Sequence, residues 1–562
     1  MQFFSLFKKH QIKQYSFLIF IGLFFCGCGG SSSPQPEENE TATSPLCFDD
    51  INTSESAFVK ATQTVGLCVQ PASPHGTTIR QGMTGGMAIG DIDNDGDQDI
   101  FITYGMNGTG RLFEYVGNEG YADITSSSGI GAQSNERGGI FADVDGDGLL
   151  DLVALIDASE HILVYRNNGD KTFTDITSST NLVLTKGAMS VSAADYDRDD
   201  DIDLVFSHWR ESWGEHSRLE YLWENDGEGR FTDVSEKVDI RPRDYMGDPN
   251  LSEELSFTPI FADINQDLYP DLLMAGDFSS SQVLINTMSD LFVDQTTSVI
   301  SDENGMGASV ADFDNDGDLD WFVTSIWNPI DVNQYGGGES GNRLYENDGA
   351  GQFVDITDRA GVRQGFWGWG SCFADFNNDG YLDILQTNGM MSAAGNNNED
   401  FSQFVQDPTV LFISNQDGTF TEMASQLGVT HLGQGRGVGC YDYDKDGDID
   451  ILLTDMGSVP TLFKNKNFAD GNNFLTVKLI GKEKNVSAVG ARVFVESGGI
   501  VMMREIQLGA SYSSQVSLEA HFGLAANSIV DEIRVEWRDS EEAISVLENV
   551  SSNQFITISY PN

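Results

Sequence analysis

Basic residues are scarce in this chain: 31 Lys and Arg face 87 Asp and Glu, a formal net charge of −56 over 562 residues. So acidic a surface repels phosphate backbones and anionic headgroups, which argues against nucleic acid and anionic lipid headgroups as partners. Cysteine is sparse too. Beyond the extreme N-terminus only Cys47, Cys68, Cys372 and Cys440 remain, and no C-x-x-C pair occurs. Zinc and thioredoxin-like chemistries are therefore poor readings. The histidines are scattered, and H-E-x-x-H, G-x-S-x-G and the P-loop are all missing, so no catalytic motif emerges. The apolar run at residues 17–25 is too short to span a bilayer as a stable helix.

What the chain has in excess is aspartate in a fixed pattern. Seven nonapeptides of the form D-x-[DN]-x-D-x-x-x-D begin at Asp91, Asp143, Asp195, Asp263, Asp312, Asp375 and Asp442. Their oxygen donors fall at positions 1, 3, 5 and 9. These are Asp91, Asp93, Asp95 and Asp99; Asp143, Asp145, Asp147 and Asp151; Asp195, Asp197, Asp199 and Asp203; and Asp263, Asn265, Asp267 and Asp271. The last three sets are Asp312, Asp314, Asp316 and Asp320; Asp375, Asn377, Asp379 and Asp383; and Asp442, Asp444, Asp446 and Asp450. Hard oxygen donors in a flexible loop, without His or Cys, select Ca²⁺ over zinc, copper or the more demanding Mg²⁺. Position 7 varies, so its carbonyl is the expected ligand, and the invariant Asp at position 9 can bind through both oxygens. Gly at position 6 permits φ > 0 and lets the loop wrap an ion. The fourth loop, with Leu268 at position 6 and Pro270 before its last donor, is expected to bind most weakly; the third has Asp200 at position 6. Up to seven calcium ions of structural role are implied. The loops hold 31 of the 87 carboxylates, so seven divalent ions would reduce the charge to about −42.

The loops recur at intervals of 52, 52, 68, 49, 63 and 67 residues, a spacing suited to propeller blades. Each unit has a Gly-rich lead-in strand, the Asp loop, an apolar strand, a strand such as R-L-Y-E-N-D-G at 343–349, and a closing F-x-D-[IV]-T. N-D-G between apolar runs signals a hairpin turn. The fold class expected is all-β: a seven-bladed β-propeller at 47–468, then a β-sandwich-like domain at 469–562 where alternating strands replace the loops. The seventh unit lacks its closing strand, and F-V-K-A-T-Q-T-V-G-L at 58–67 supplies a match, so the N-terminal segment is expected to close the ring. A Cys47–Cys68 disulfide would pin that strand, while Cys372 and Cys440, just before the sixth and seventh loops, fall on neighbouring blades and are the weaker candidate for a second disulfide.

Residues 1–27 read as a signal: Lys8, Lys9 and Lys13, then an apolar run ending F-F-C-G-C-G-G-S-S-S. This resembles a bacterial lipobox with Cys28 as the acylated residue, although Phe25 departs from the usual Leu, and 28–46 would be the tether. A lipid anchor would be the chain's only membrane contact. The protein is expected at a bacterial outer membrane or cell surface, with a periplasmic or secreted protein as the alternative.

The loops and flanking strands resemble the FG-GAP/VCBS repeats of integrin-α propellers. At the C-terminus N-F-L-T-V-K-L-I-G, A-V-G-A-R-V-F-V, R-E-I-Q-L-G-A-S-Y-S-S-Q and H-F-G-L-A are similar to the ASPIC/UnbV domain, with Ala510-Ser511-Tyr512 departing from the usual Gly-Tyr before Ser-Gln. The order of these parts resembles bacterial relatives of the cartilage acidic protein family. That resemblance implies calcium binding and extracellular interaction, and no defined reaction.

Three insertions follow the strand after an Asp loop, at 208–218, 327–343 and 388–401. Their aromatics, Trp209, Trp213, Trp327 and Tyr335, among His208, His216, Arg210 and Arg343, are candidates for holding an extracellular glycan or protein. Equally, these side chains pack their own loops, and Phe366, Trp367 and Trp369 are read as core. The function expected is a binding or adhesion module. Alternatives are an envelope assembly component docking through the C-terminal domain, or a Ca²⁺-dependent polysaccharide lyase or hydrolase.

Overall fold

The computed structural model describes residues 56–69, 80–105, 108–131, 136–156, 162–184, 187–209, 221–241, 255–289, 291–328, 341–391, 393–394, 399–466, 468 and 471–561. The signal and tether, Cys28, Cys47, Trp213 and Tyr335 lie outside them. Residues Leu46–Asn562 form one compact unit.

Seven four-stranded antiparallel sheets follow one another along the chain as the blades of a propeller. Blade 1 shows the plan: Met87–Gly90, Asp99–Ile102, Arg111–Tyr115 and Tyr121–Asp123, in chain order from the innermost strand outwards. Innermost strands are buried on both faces, as in Met87–Gly90 and Glu136–Ala142, because each is flanked by its neighbours around the axis. Outermost strands such as Phe173–Asp175 keep one buried Phe and expose the rest. That Phe is the first residue of the F-x-D motif, and it packs into the seam between adjacent blades.

Blade 7 has three strands from its own stretch, Gly435–Tyr441, Asp450–Asp455 and Thr461–Asn465, and a fourth, Phe58–Lys60, from the N-terminal side. Phe58 pairs with Asn465 and Lys60 with Phe463. The ring therefore closes by pairing a strand from the start of the chain with one from the end of the repeats, and blade 7 is left with no open third-strand edge. Cys372 of Gly368–Ala374 and Cys440 of Gly435–Tyr441 form a disulfide with Cα atoms 6.6 Å apart, joining the innermost strands of blades 6 and 7. Cys68 is also disulfide-bonded.

The C-terminal domain stacks a three-stranded sheet on a four-stranded one around a core that includes Val477, Val493, Phe522 and Ile533. The four-stranded sheet runs Ile500–Glu505, Arg492–Ser497, Ile529–Glu536, Ile544–Ser551, all antiparallel. In the other, Asn473–Ile480 is central, antiparallel to Ala520–Ala525 and parallel to Gln554–Ser559. Among the described residues no helix is long and apolar enough to cross a membrane.

Candidate metal-binding loops and the domain that covers them

Each Asp loop links the innermost strand of a blade to the second, so all seven lie at one end of the propeller. Their internal geometry repeats. The position-1 carboxylate accepts the N–H of position 5 on one oxygen and of position 6 on the other. In the first loop Asp95 and Gly96 donate to Asp91 at 3.1 and 3.0 Å, and in the fourth Asp267 and Leu268 donate to Asp263 at 3.1 and 2.9 Å. The position-5 carboxylate accepts from the N–H of position 7, as Asp316 does from Asp318 at 3.0 Å. These bonds turn the carboxylates inward around a common point. One oxygen or more from each of Asp91, Asp93 and Asp99 falls within 4.8 Å of the others, and the same holds for Asp143, Asp145 and Asp151; Asp195, Asp197 and Asp199; Asp312, Asp314 and Asp316; and Asp442, Asp444 and Asp450.

Two positions in each loop take φ > 0. Position 6 was legible: Gly96, Gly317, Gly380 and Gly447 sit at φ of 92–97°, Gly148 at 87°, and Asp200 and Leu268 are held at 73° and 78°. Position 4 was not. Asn94, Arg198, Gln266, Asn315, Asn378 and Lys445 lie at φ 54–64°, with Gly146 at 71°. Asn and Gly recur there and tolerate that conformation, which was the available signal.

Position 9 acts as a double staple. Asp99 accepts the Ile92 N–H on one oxygen and the Tyr115 N–H on the other, at 3.1 and 2.9 Å. Asp320 does the same with Phe313 and Asn347, and Asp450 with Tyr443 and Asn465. Each such Asp ties the loop to the third strand of its blade and keeps a second lone pair per oxygen for a ligand. Burial without a countercharge pushes these carboxyls up, to about 8 for Asp99, Asp151 and Asp271, and raises Asp203, Asp320, Asp383 and Asp450 far above the usual range. The position-1 groups follow: about 8 for Asp195 and Asp442, about 7 for Asp143, Asp312 and Asp375, with desolvation the leading cause.

The residues fit a metal ion. At position 3 of three loops one carboxylate oxygen, Oδ1 of Asp145, Asp314 and Asp444, is buried and has no hydrogen-bond partner. A buried acceptor aimed at other carboxylates and left unsatisfied is costly unless a cation completes it. In the fourth and sixth loops position 3 is an amide, and Asn265 and Asn377 donate from Nδ2 to the position-5 carboxylates of Asp267 and Asp379 at 3.1 Å.

The C-terminal domain sits on this loop end. Its basic side chains meet the acidic loops: Lys478 reaches Asp91 at 2.7 Å, Lys482 reaches Asp200 at 3.2 Å, Lys484 reaches Asp201 at 3.4 Å, and Arg538 pairs with Asp263. The segment 508–515 enters the axial channel. Leu508 accepts from Ala193 of blade 3, Ser511 donates to Ser371 of blade 6, and Gln515 donates its N–H to Met87 of blade 1 while its Oε1 accepts from Phe141 of blade 2. Tyr512 is fully buried, with its ring centroid 5.1 Å from that of Trp369 and its hydroxyl donating to Met83 O at 2.5 Å. The Gly-rich lead-in strands now have a reason. A Cβ at Gly86 or Gly138 would lie 1.9 or 2.0 Å from Ser513 O, so these positions admit no side chain while the segment is in place.

Residues 91–154, 143–206, 263–323 and 332–385 match the FG-GAP-like repeat family model, and residues 481–562 match that of ASPIC and UnbV. The chain carries FG-GAP-like repeats and an ASPIC/UnbV domain. It is 24% identical to cartilage acidic protein 1 of Xenopus tropicalis, over 85% of this chain and 74% of that protein. The human cartilage acidic protein 1 is also 24% identical, over 85% and 72% respectively. A solved structure of an Agrocybe aegerita lectin that recognises non-reducing terminal N-acetylglucosamine covers 83% of this chain and 99% of its own, at 14% identity and a TM-score of 0.39. The strand Asn473–Ile480 precedes the ASPIC/UnbV match yet forms the centre of that domain's three-stranded sheet.

The described residues that begin and end the insertions lie between second and third strands, at the end opposite the ASPIC/UnbV domain. Trp209 is buried there, stacked 6.0 Å from Phe257, with Nε1 donating to Asp277 at 3.1 Å. His208 is buried against Tyr221, and Arg343 donates to Ser301 and Gly341. Trp327 is half-buried. Trp367 and Trp369 are core as expected, whereas Phe366 is 38% exposed at φ 60°. A further group escaped the sequence reading. Asn167, Asn225, Asn286, Asn347 and Asn465 each donate from a buried Nδ2 to a carbonyl in the Asp loop of a preceding blade, as Asn347 does to Ile264 at 2.8 Å. The N-D-G pattern had accounted for this Asn as a turn residue, while its recurrence at one place in five units was the signal for a second role.

Proposed function

We propose that this chain is an exported, calcium-stabilised propeller that acts as a binding module for an extracellular glycan or protein. The observation that carries the calcium reading is the repeated inward convergence of carboxylates, with Oδ1 of Asp145, Asp314 and Asp444 buried and unsatisfied. Calcium would be held by the side chains at positions 1, 3, 5 and 9, with the position-7 carbonyl as a further oxygen. Bound there it would neutralise the loop carboxylates. The chain's own residues fix the site: the N–H groups of positions 5, 6 and 7 aim the acids, and position 9 fastens the loop to its blade.

The ASPIC/UnbV domain covers the loop end and occupies the channel, which directs the search for a ligand to the opposite end, where the insertions arise. Export follows from the signal-like N-terminus, with Cys28 as the anchor. The assembly reading is weakened because the basic side chains and the 508–515 segment of the ASPIC/UnbV domain are engaged within the molecule. A glycan array and a pull-down from the native envelope, each with calcium and with EGTA, test the proposal. Calcium-dependent capture lost in Trp213→Ala and Trp327→Ala is the expected result; capture unaffected by both substitutions overturns the insertion face.

A further inference from the structure

The fourth loop differs from the others in that its first carboxylate is ion-paired with a buried guanidinium; the buried Arg504 lies near Asp312 and Asp375 of the fifth and sixth loops but forms no ion pair with either. Asp263 keeps the standard N–H bonds from Asp267 and Leu268, but its Oδ2 is paired with the guanidinium of Arg538. Both side chains are buried, 4% and 6% exposed, so neither can exchange its partner for water without undocking the domain. Arg538 lies in the turn after the strand Ile529–Glu536, and its other nitrogen is 3.8 Å from Glu536. A second arginine secures the same loop. Arg492 donates from Nη2 to the Asp263 carbonyl at 2.5 Å and is held by Glu505 at 2.8 Å, both side chains 3% exposed. At position 3 the Asn265 amide already donates to Asp267. A divalent ion placed among these carboxylates would lie beside a buried guanidinium, and like charges in a poorly solvated site repel strongly.

The first loop supplies the contrast. Lys478 also touches its position-1 Asp91, but that lysine is 32% exposed on a flexible stem and can withdraw into water when an ion arrives. Arg538 has no such exit.

We infer that Arg538 of the ASPIC/UnbV domain is the resident cation of the fourth loop, which therefore holds a guanidinium where its sister loops hold a metal ion. This rests on the calcium reading for the other loops. The fourth loop then serves as a fixed docking post, joining propeller and ASPIC/UnbV domain whatever the calcium concentration.

The test uses the full chain and two readouts. Bound calcium per chain is counted after equilibrium dialysis for wild type, Asp263→Asn, Asp312→Asn and Arg538→Gln, and melting is followed in excess EGTA for Asp263→Asn, Arg538→Gln and the double variant. Asp312→Asn should lose about one ion, Asp263→Asn should lose none, and Arg538→Gln should gain about one. In EGTA the double variant should melt no lower than the worse single variant, since either change alone leaves a buried charge unpaired. An ion lost in Asp263→Asn, an unchanged count in Arg538→Gln, or additive losses of melting temperature in EGTA overturns the inference. A wild-type chain that binds no calcium refutes the calcium reading instead, and the EGTA cycle still decides whether Arg538 and Asp263 form the pair. Should Arg538→Gln not fold, the Asp263→Asn count and an Arg538→Lys variant that keeps the wild-type count carry the test.

Discussion

Asn347 lies in the third strand of blade 5 and donates from Nδ2 to the carbonyls of Ile264, in the loop of blade 4, and Leu319, in its own. An alanine there removes these two bonds and the two its Oδ1 accepts from the Asp348 and Gly351 N–H groups, so Asn347→Ala should destabilise by about 2–3 kcal/mol. Chemical denaturation with an unchanged m-value would verify that the loss is one of stability. Melting equal to that of wild type would show that water replaces the amide. The loop acids make a prediction of opposite character. In EGTA, Asp143, Asp312 and Asp375 hold their protons to about pH 7, and Asp99, Asp151, Asp195, Asp271 and Asp442 to about 8, whereas an unfolded aspartate loses its proton near 4. The folded state therefore binds more protons across the window between, and its stability falls as pH rises from about 4 to 8. Calcium binds the ionised form, so its stabilisation grows over the same window. Melting temperature measured from pH 5 to 8 should decline in EGTA and hold or rise in calcium; parallel profiles would contradict the assignment of these carboxyls.

At the scale of elements, the strand Phe58–Lys60 shows what sequence could and could not tell. Its role was legible because the seventh unit was one F-x-D-type strand short and the segment at 58–67 matched the missing piece. The Asp loops were legible for a similar reason: seven copies of one local pattern specify one local geometry. Phe58 is buried between Phe376 and Phe468, with ring centroids at 5.9 and 6.2 Å. Phe58→Ala should cost about 3–5 kcal/mol and loosen the ring at its seam. Faster hydrogen exchange confined to Thr461–Asn465 and its neighbours would report that opening, and uniform exchange across all blades would argue against a local seam. The disulfide between Cys372 and Cys440 bridges blades 6 and 7 on the other side of the same sheet. Its removal by paired alanines should lower stability by about 2–4 kcal/mol. The bridge was the weaker of two candidate pairs, since spacing in the chain put both cysteines before loops but could not say which innermost strands face each other. The segment 508–515 was illegible for a deeper reason. Its Ser, Tyr and Gln look like an ordinary polar loop, and what makes them fit is a channel lined by glycines from several distant blades.

Across the whole molecule, propeller and ASPIC/UnbV domain are joined by the buried Arg538–Asp263 pair on the fourth loop and by two further, unlike contacts. The periphery is ionic, with Lys482 and Lys484 on the third loop at 3.2 and 3.4 Å. The axis is buried and specific: Tyr512 packs on Trp369 and Phe257 and bonds to Met83, while Gln515 ties blade 1 to blade 2. Such partly exposed lysine pairs each contribute little and are screened by salt, whereas a buried aromatic with a satisfied hydroxyl contributes several kcal/mol. The axial segment should thus dominate the coupling between the domains. Calorimetry of the full chain in calcium is expected to show one cooperative transition, because the ASPIC/UnbV domain cannot withdraw 508–515 without exposing the channel wall. Tyr512→Ala, by leaving a cavity at the axis and the Met83 carbonyl without its donor, should lower the domain's stability by about 3–5 kcal/mol and split the trace, the ASPIC/UnbV domain melting first. Lys482→Ala with Lys484→Ala should leave one transition, shifted only slightly. Two transitions in the wild type, or a split produced by the lysine pair and not by Tyr512→Ala, would place the coupling at the periphery and reduce the axial segment to a passenger.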